Sequence, residues 1–479
     1  MTRASTNRKQ RRTQNTSKIT AKNYAAVAQA AQRQGDVRKA LEGYMQAVKA
    51  APENRAYKVQ LCEVIARVSF GSFNLSAKKI ILACLQTPGL DYQALWKPWF
   101  SLLMCDPGMQ PFQELINRGE VTSPKKLQVC LSDPYFLAGL TNLMVFDMRF
   151  EQALQKLQNL DGPQGVKEAL ALYHEKTEYV FCAQSQEEYL YPVDESIEML
   201  SAPQGATSEE VRAQYEKNPY PRWTSCHHRA PVTQKAHDHL FAGCGTGYGL
   251  CQTAMMYPKA KITAIDLSRA SLSYAKQKAQ ELNLTNITFY QADILDLKKL
   301  DRRFDVIECS GVLHHMQDPL VGWKSLIGKL KPEGRMRIGL YSALGRVDVV
   351  AAREVIAQEG FEATHDGIKA AREAIATLPS DHPARRVLTR RDFYAKSSCR
   401  DLLFHVQEHR FTIQDVLQAL EKLDVVFDGF DLQDRSILQS YHDLFPQDQK
   451  AQNLKNWETF EEKNPETFRG MYQFWCRLK

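Results

Sequence analysis

No run of eighteen apolar residues occurs in this chain of 479 residues. A helix needs about that many to cross the hydrocarbon of a bilayer, so no membrane span is expected. The first residues also lack the apolar stretch of a secretory leader, and none is expected. The eleven cysteines include no Cys-x-x-Cys pair. Cys226-His227-His228 is the one Cys/His cluster and has no second ligand pair, so neither zinc nor another bound metal is expected. Cys84, Cys309 and Cys476 sit in apolar stretches. They read as buried thiols in a reducing, cytoplasmic setting.

Acidic residues are missing from positions 1–22, which carry Arg3, Arg8, Lys9, Arg11, Arg12, Lys18 and Lys22. These cations account for the whole net charge of +7. The body of the chain is formally neutral, so the basic balance does not imply a broad surface for nucleic acid. The segment has few apolar residues and many Thr, Asn and Gln, so a disordered tail is expected. Its charge suits a solubilising role or a weak contact with a polyanion.

Residues 23–200 read as an all-helical domain. Tyr24, Val27, Ala28, Ala40, Tyr44 and Ala47 recur at helical spacing around a turn at Gly35-Asp36. Small residues at Ala28 and Ala40 let two helices approach closely, and the unit resembles one tetratricopeptide repeat. One such unit has no partner for its apolar face, so the helical patterns that follow must supply the packing. A protein partner could dock on this domain.

The richest signal is Gly243-Cys244-Gly245-Thr246-Gly247, set between a short apolar run and a helix. A second run ends at Asp266 and a third at Asp293. A strand, a glycine loop, a helix and further acid-ended strands form the layout that holds an adenosine-containing cofactor. The spacing is Gly-x-Gly-x-Gly, and Tyr248 stands where a dinucleotide fingerprint has its last glycine. The backbone can therefore approach a ligand, but no diphosphate cradle is expected.

The same order continues through Phe304-Asp305-Val306-Ile307, Gly311-Val312-Leu313-His314-His315-Met316 and Leu330-Lys331-Pro332-Glu333-Gly334. With these motifs, residues 237–340 resemble the core of class I S-adenosylmethionine-dependent methyltransferases. The resemblance implies an α/β Rossmann-like sheet of seven strands whose last strand is antiparallel. It implies S-adenosylmethionine as cofactor, with Gly243, Cys244, Gly245, Thr246 and Gly247 at its methionine part. Asp266 with Leu267 would take the ribose hydroxyls, and Asp293 with Ile294 the adenine. His315 and Tyr341 would lie near the transferred methyl. One departure is Phe241, where the family usually has an acid; Asp238 or a backbone group is expected to support the loop instead.

Elements outside the core are expected to choose the acceptor. Residues 201–236 form a linker whose Tyr220, Arg222 and Trp223 could cover the cofactor. Residues 343–411 form a mostly helical insert in a catalytic domain of 237–479. The insert contains His405-Val406-Gln407-Glu408-His409. On a helix this pattern would set His405 and His409 on one face, and with Glu408 they are expected to form a substrate wall. The expected function is methyl transfer to an unidentified acceptor, with a protein or peptide slightly favoured over a small metabolite. The alternative is a cofactor-binding regulator that works through its helical domain.

Overall fold

The structure is a computed structural model that describes residues 19–66, 68–121, 123–158, 163–177, 192–223, 226, 231–232, 235–432 and 434–479. Most of the basic tail and His227-His228 lie outside the described residues. The chain divides into two compact units, one of residues 1–184 with 224–228 and one of 185–223 with 229–479. No helix among the described residues is long and apolar enough to cross a membrane.

The first unit is helical hairpins. The helix of residues 19–33 packs on Val37–Ala50. Ala28 and Ala40 are fully buried, and a Cβ on Gly43 would lie 2.8 Å from that of Ala28. The two backbones are therefore as close as small residues permit. Tyr24 and Val27 correct the sequence reading, since both are exposed and the buried stripe runs through Ala21, Ala25, Ala28 and Ala31. Alanine spaced by three and four outcompetes larger residues where helices touch this closely. Further along, Trp99 is buried, donates from Nε1 to the Tyr135 carbonyl at 2.9 Å and fills the space that Gly139 leaves open.

The second unit is built on one sheet. Its strands are β1 (Glu198–Met199), β2 (Asp238–Ala242), β3 (Lys261–Asp266), β4 (Ile287–Gln291), β5 (Phe304–Ser310), β6 (Leu330–Leu340), β7 (Val425–Phe430) and β8 (Tyr472–Leu478). Their spatial order is β1-β4-β3-β2-β5-β6-β8-β7. β1 to β6 pair in parallel, and β8 runs antiparallel to both β6 and β7. Strands covered on both faces read as near-continuous apolar runs, as in β2, where Leu240, Phe241 and Ala242 are buried.

The sheet has eight strands rather than seven. β1 comes from the stretch assigned to the helical domain and pairs with β4 at Glu198–Tyr290 and Met199–Gln291. Two residues carry no readable period, which is why the sequence pattern does not reveal it. The chain leaves β2 toward β3 on one side and returns to β5 on the other. That reversal opens a crevice beyond the carboxyl ends of β2 and β5, the place where open α/β sheets bind ligands.

Candidate functional site

The glycine loop follows β2. The N–H groups of Gly243 and Cys244 both donate to the Ile265 carbonyl, at 2.9 and 3.0 Å. Gly245 N–H donates to Asp266 Oδ2 at 2.8 Å. Gly243 has φ of +74°, and a Cβ there would lie 2.3 Å from Val312 Cγ2, so only glycine fits. Asp238 does not support this loop. It pairs with Lys331 Nζ at 2.8 Å at the start of β2. Phe241 packs with Leu250 and Ala254 instead. The missing acid is thus replaced by the end of β3, through the Ile265 carbonyl and the Asp266 carboxylate.

Asp266 also accepts from Ser268 N–H at 2.9 Å. The following helix, Arg269–Glu281, is capped by Ser268, and Glu216 accepts from Arg269 N–H and Ala270 N–H. Asp266 is therefore free of capping that helix. Burial pushes its carboxyl up to about 6 against the pull of its backbone N–H donors. Asp293 is buried, caps its own turn at Leu295 N–H and accepts from Gln204 N–H at 2.7 Å. Each carboxylate oxygen has a second lone pair, so both acids can accept from a ligand as well.

Residues 220–223 are stitched onto the loop. The Thr246 hydroxyl donates to the Pro221 carbonyl. Trp223 Nε1 donates to the Thr246 carbonyl at 2.9 Å. Tyr274 hydroxyl meets Trp223 N–H at 3.2 Å. These bonds account for the buried positions of Thr246 and Trp223.

Beyond the loop the insert supplies the other wall. Its helices include Val347–Glu359, His365–Thr377 and Lys396–Phe404. The His-x-x-Glu-His segment is not helical, because the last helix ends at Phe404 and His405 is extended. The backbone there pairs with the core instead. His409 N–H donates to the His314 carbonyl at 2.7 Å, and Phe411 N–H to the Tyr341 carbonyl at 2.8 Å. This strap lays His405 on His315, ring centroids 3.6 Å apart. Burial drives the His315 imidazole well below its usual value and lowers His405 to about 3, so both are neutral. Glu408 turns away and pairs with Arg346 and Arg353. Arg346 lies 3.8 Å over the Tyr341 ring, which His314 also stacks on at 3.8 Å.

All these elements surround one cavity of about 270 Å³. Gly243, Cys244, Gly245, Asp266, Leu267, Asp293 and Ile294 line it, together with His315, Tyr341 and Tyr220. Of the expected residues, Thr246, Gly247, Arg222, Trp223, His405, Glu408 and His409 are not in its wall. Thr246 and Trp223 brace the loop from behind, and His405 and Glu408 back the strap. Tyr215 and Asp401 line the cavity and were not anticipated. Asp401 had a readable sign: it is an acid directly before the apolar run Leu402-Leu403-Phe404. Tyr215 had none.

The cavity fits S-adenosylmethionine in three observable respects. The glycine backbone is bare where a Cβ would clash. A half-buried carboxylate stands at the end of β3, held by N–H groups and, among the described residues, in no ion pair. A second carboxylate, buried, stands past the end of β4. The family described as a methyltransferase domain matches residues 235–378. Residues 235–378 are thus a methyltransferase domain, on a class I Rossmann-like sheet. Its cofactor is S-adenosylmethionine. A protein of Synechococcus described as uncharacterized is 35% identical over 205 residues, which are 41% of this chain and 49% of that one. Malonyl-[acyl-carrier protein] O-methyltransferase of Bacillus anthracis is 29% identical over 195 residues, 38% of this chain and 63% of its own. The solved structure of PKMT2 from Rickettsia typhi is 16% identical, covers 52% of this chain and 50% of that one, and has a TM-score of 0.41. The chain thus spans about half the length of the first relative and under two thirds of the second.

Proposed function

We propose that the whole protein transfers the methyl group of S-adenosylmethionine to an acceptor on a protein or peptide. The observation that carries this reading is the single cavity that joins the glycine loop, Asp266 and Asp293 to His315, Tyr341 and Asp401. The bound cofactor supplies an activated methyl on a sulfonium. Gly243 to Gly245 would hold its methionine part, Asp266 its ribose and Asp293 its adenine. The neighbouring side chains then have to bind the acceptor, exclude water and set its nucleophile in line, which can lower a barrier by several kcal/mol.

The helical hairpins of the first unit support a macromolecular acceptor, because stacked helical pairs present extended surfaces. A contact of residues 1–22 with a polyanion and a cytoplasmic location belong to the same proposal. The test has two parts. Calorimetry should find stoichiometric binding of S-adenosylhomocysteine. Tritiated methyl from the cofactor, incubated with protein and a cell extract, should appear in the protein fraction. Binding without label in any fraction would leave a cofactor-binding regulator as the better reading.

A further inference from the structure

Resting on the methyl-transfer reading, we propose that the acceptor group is an alkyl amine, held as its ammonium ion by Asp401 among Tyr215, Tyr220 and Tyr341. Asp401 lies on the helix Lys396–Phe404, is 5% exposed and faces the cavity. Among the described residues its carboxylate accepts a hydrogen bond from the Tyr215 hydroxyl and joins no ion pair. Two acids of the insert are matched, Glu408 by Arg346 and Arg353, and Asp348 by Arg390 and Arg469; Asp392 accepts from the Tyr220 hydroxyl at 3.3 Å. A buried carboxylate without a cation is costly, and a cationic ligand would remove the cost. Burial, with nearby Asp392 and Glu408, pushes the Asp401 carboxyl up to about 7 despite Arg346. Tyr215, Tyr220 and Tyr341 line the same space, and aromatic faces attract a desolvated cation. A carboxylate acceptor would meet like charge there, and a hydroxyl acceptor would leave the charge unmatched.

A metal ion is the rival occupant, since ligand atoms of His315, Asp401 and His405 lie within 4.8 Å of one another. The backbone of Gln407 speaks against it. Its carbonyl accepts from His315 Nδ1 at 2.6 Å, and its N–H donates to His405 Nδ1 at 3.1 Å. In neutral imidazoles this leaves a lone pair on His315 Nε2 and a proton on His405 Nε2. A metal would need lone pairs from both.

The chemistry balances with the groups present. In a dry site an ammonium and a carboxylate tend toward their neutral forms. The Asp401 carboxylate takes one proton from R–NH3+, leaving R–NH2 with a free electron pair. That pair forms the new N–CH3 bond while the S–CH3 bond breaks, its electrons staying on sulfur. The products are R–NH2+–CH3 and neutral S-adenosylhomocysteine, and the proton on Asp401 returns to solvent.

The probe is n-butylammonium, titrated into protein saturated with S-adenosylhomocysteine, with n-butanol as the neutral isostere. The ammonium should bind about tenfold or more tightly than the alcohol. Asp401→Asn should lose that preference while its affinity for S-adenosylhomocysteine, which reports a folded site, stays within about threefold. Asp401→Glu should keep the preference. In the labelling experiment, tritium should resist alkali as N-methyl amine. Equal binding of the two probes, a preference retained in Asp401→Asn, label released by alkali as methanol, or one zinc ion bound per chain and lost in Asp401→Asn would each overturn the proposal. Failure of S-adenosylhomocysteine to bind wild-type protein would instead overturn the methyl-transfer reading, and this proposal with it.

Discussion

The two ends of the cavity are built by different means. At the end proposed for the cofactor, Gly245 and Asp266 are 21 positions apart and joined by a backbone N–H. The parts are loop backbone and strand-end acids, placed by one register of parallel strands. At the end proposed for the acceptor, Tyr215 and Asp401 are 186 positions apart and joined through side chains. There the wall comes from the linker, the ends of β5 and β6, and the insert. The first end is a product of local chain geometry, and the second of docking. Damage to the first should act on cofactor binding, and damage to the second on stability and on the acceptor.

The largest expected effect tests the docked side. Glu408→Ala leaves Arg346 buried without its partner and should cost about 3–5 kcal/mol of stability, read from urea midpoints. Affinity for S-adenosylhomocysteine in the remaining folded protein should change little; a large change would erase the distinction between the two ends. Next comes Gly243→Ala, where a Cβ would collide with Val312 in a left-handed backbone. Roughly 3 kcal/mol of strain is expected, with cofactor binding lost. A variant that binds normally would mean that the loop can give way.

Asp266→Ala should weaken S-adenosylhomocysteine about ten- to hundredfold without unfolding, since a charge-assisted hydrogen bond is worth about 1.5–3 kcal/mol. Unchanged affinity by calorimetry would remove Asp266 from the site. The same carboxyl makes a pH prediction. The free protein holds a proton on Asp266 below about 6, and the ribose hydroxyls donate to the ionised form. Affinity should therefore be flat above that pH and fall about tenfold per unit below it. A flat profile down to pH 5 would assign the ribose to another acceptor. The smallest effect is expected for His409→Ala, within about 0.5 kcal/mol. The His409 backbone N–H ties the strap to the His314 carbonyl, while the ring meets the Gln407 side chain within the strap at 3.0 Å. A large loss would show that the imidazole matters after all.

What the sequence revealed of the cavity wall divides in the same way. Gly243, Gly245, Asp266 and Asp293 were legible because each sits at the end of an apolar run, so strand register alone brings them together. The support of the loop was not, because Phe241 gave no positive sign of its substitute. That substitute is the end of the neighbouring strand. His405 and His409 were read as one helical face, yet pairing of that backbone with His314 and Tyr341 ended the helix first. β1 was lost in the helical stretch because it is only two residues long.

The sequence by itself determined the alternation of strands and helices, the glycine loop, the acids at the ends of strands and the helical character of the first unit. These depend on residue periods and on conformations that only glycine adopts. Only the tertiary structure decided that the strap brings His405 onto His315, that Glu408 faces arginines rather than the cavity, and that Tyr215 meets Asp401. Those outcomes depend on which buried charges and backbone groups find partners across long stretches of chain. That competition is settled only when the elements pack, because the cost of an unpaired buried group appears only once water has left.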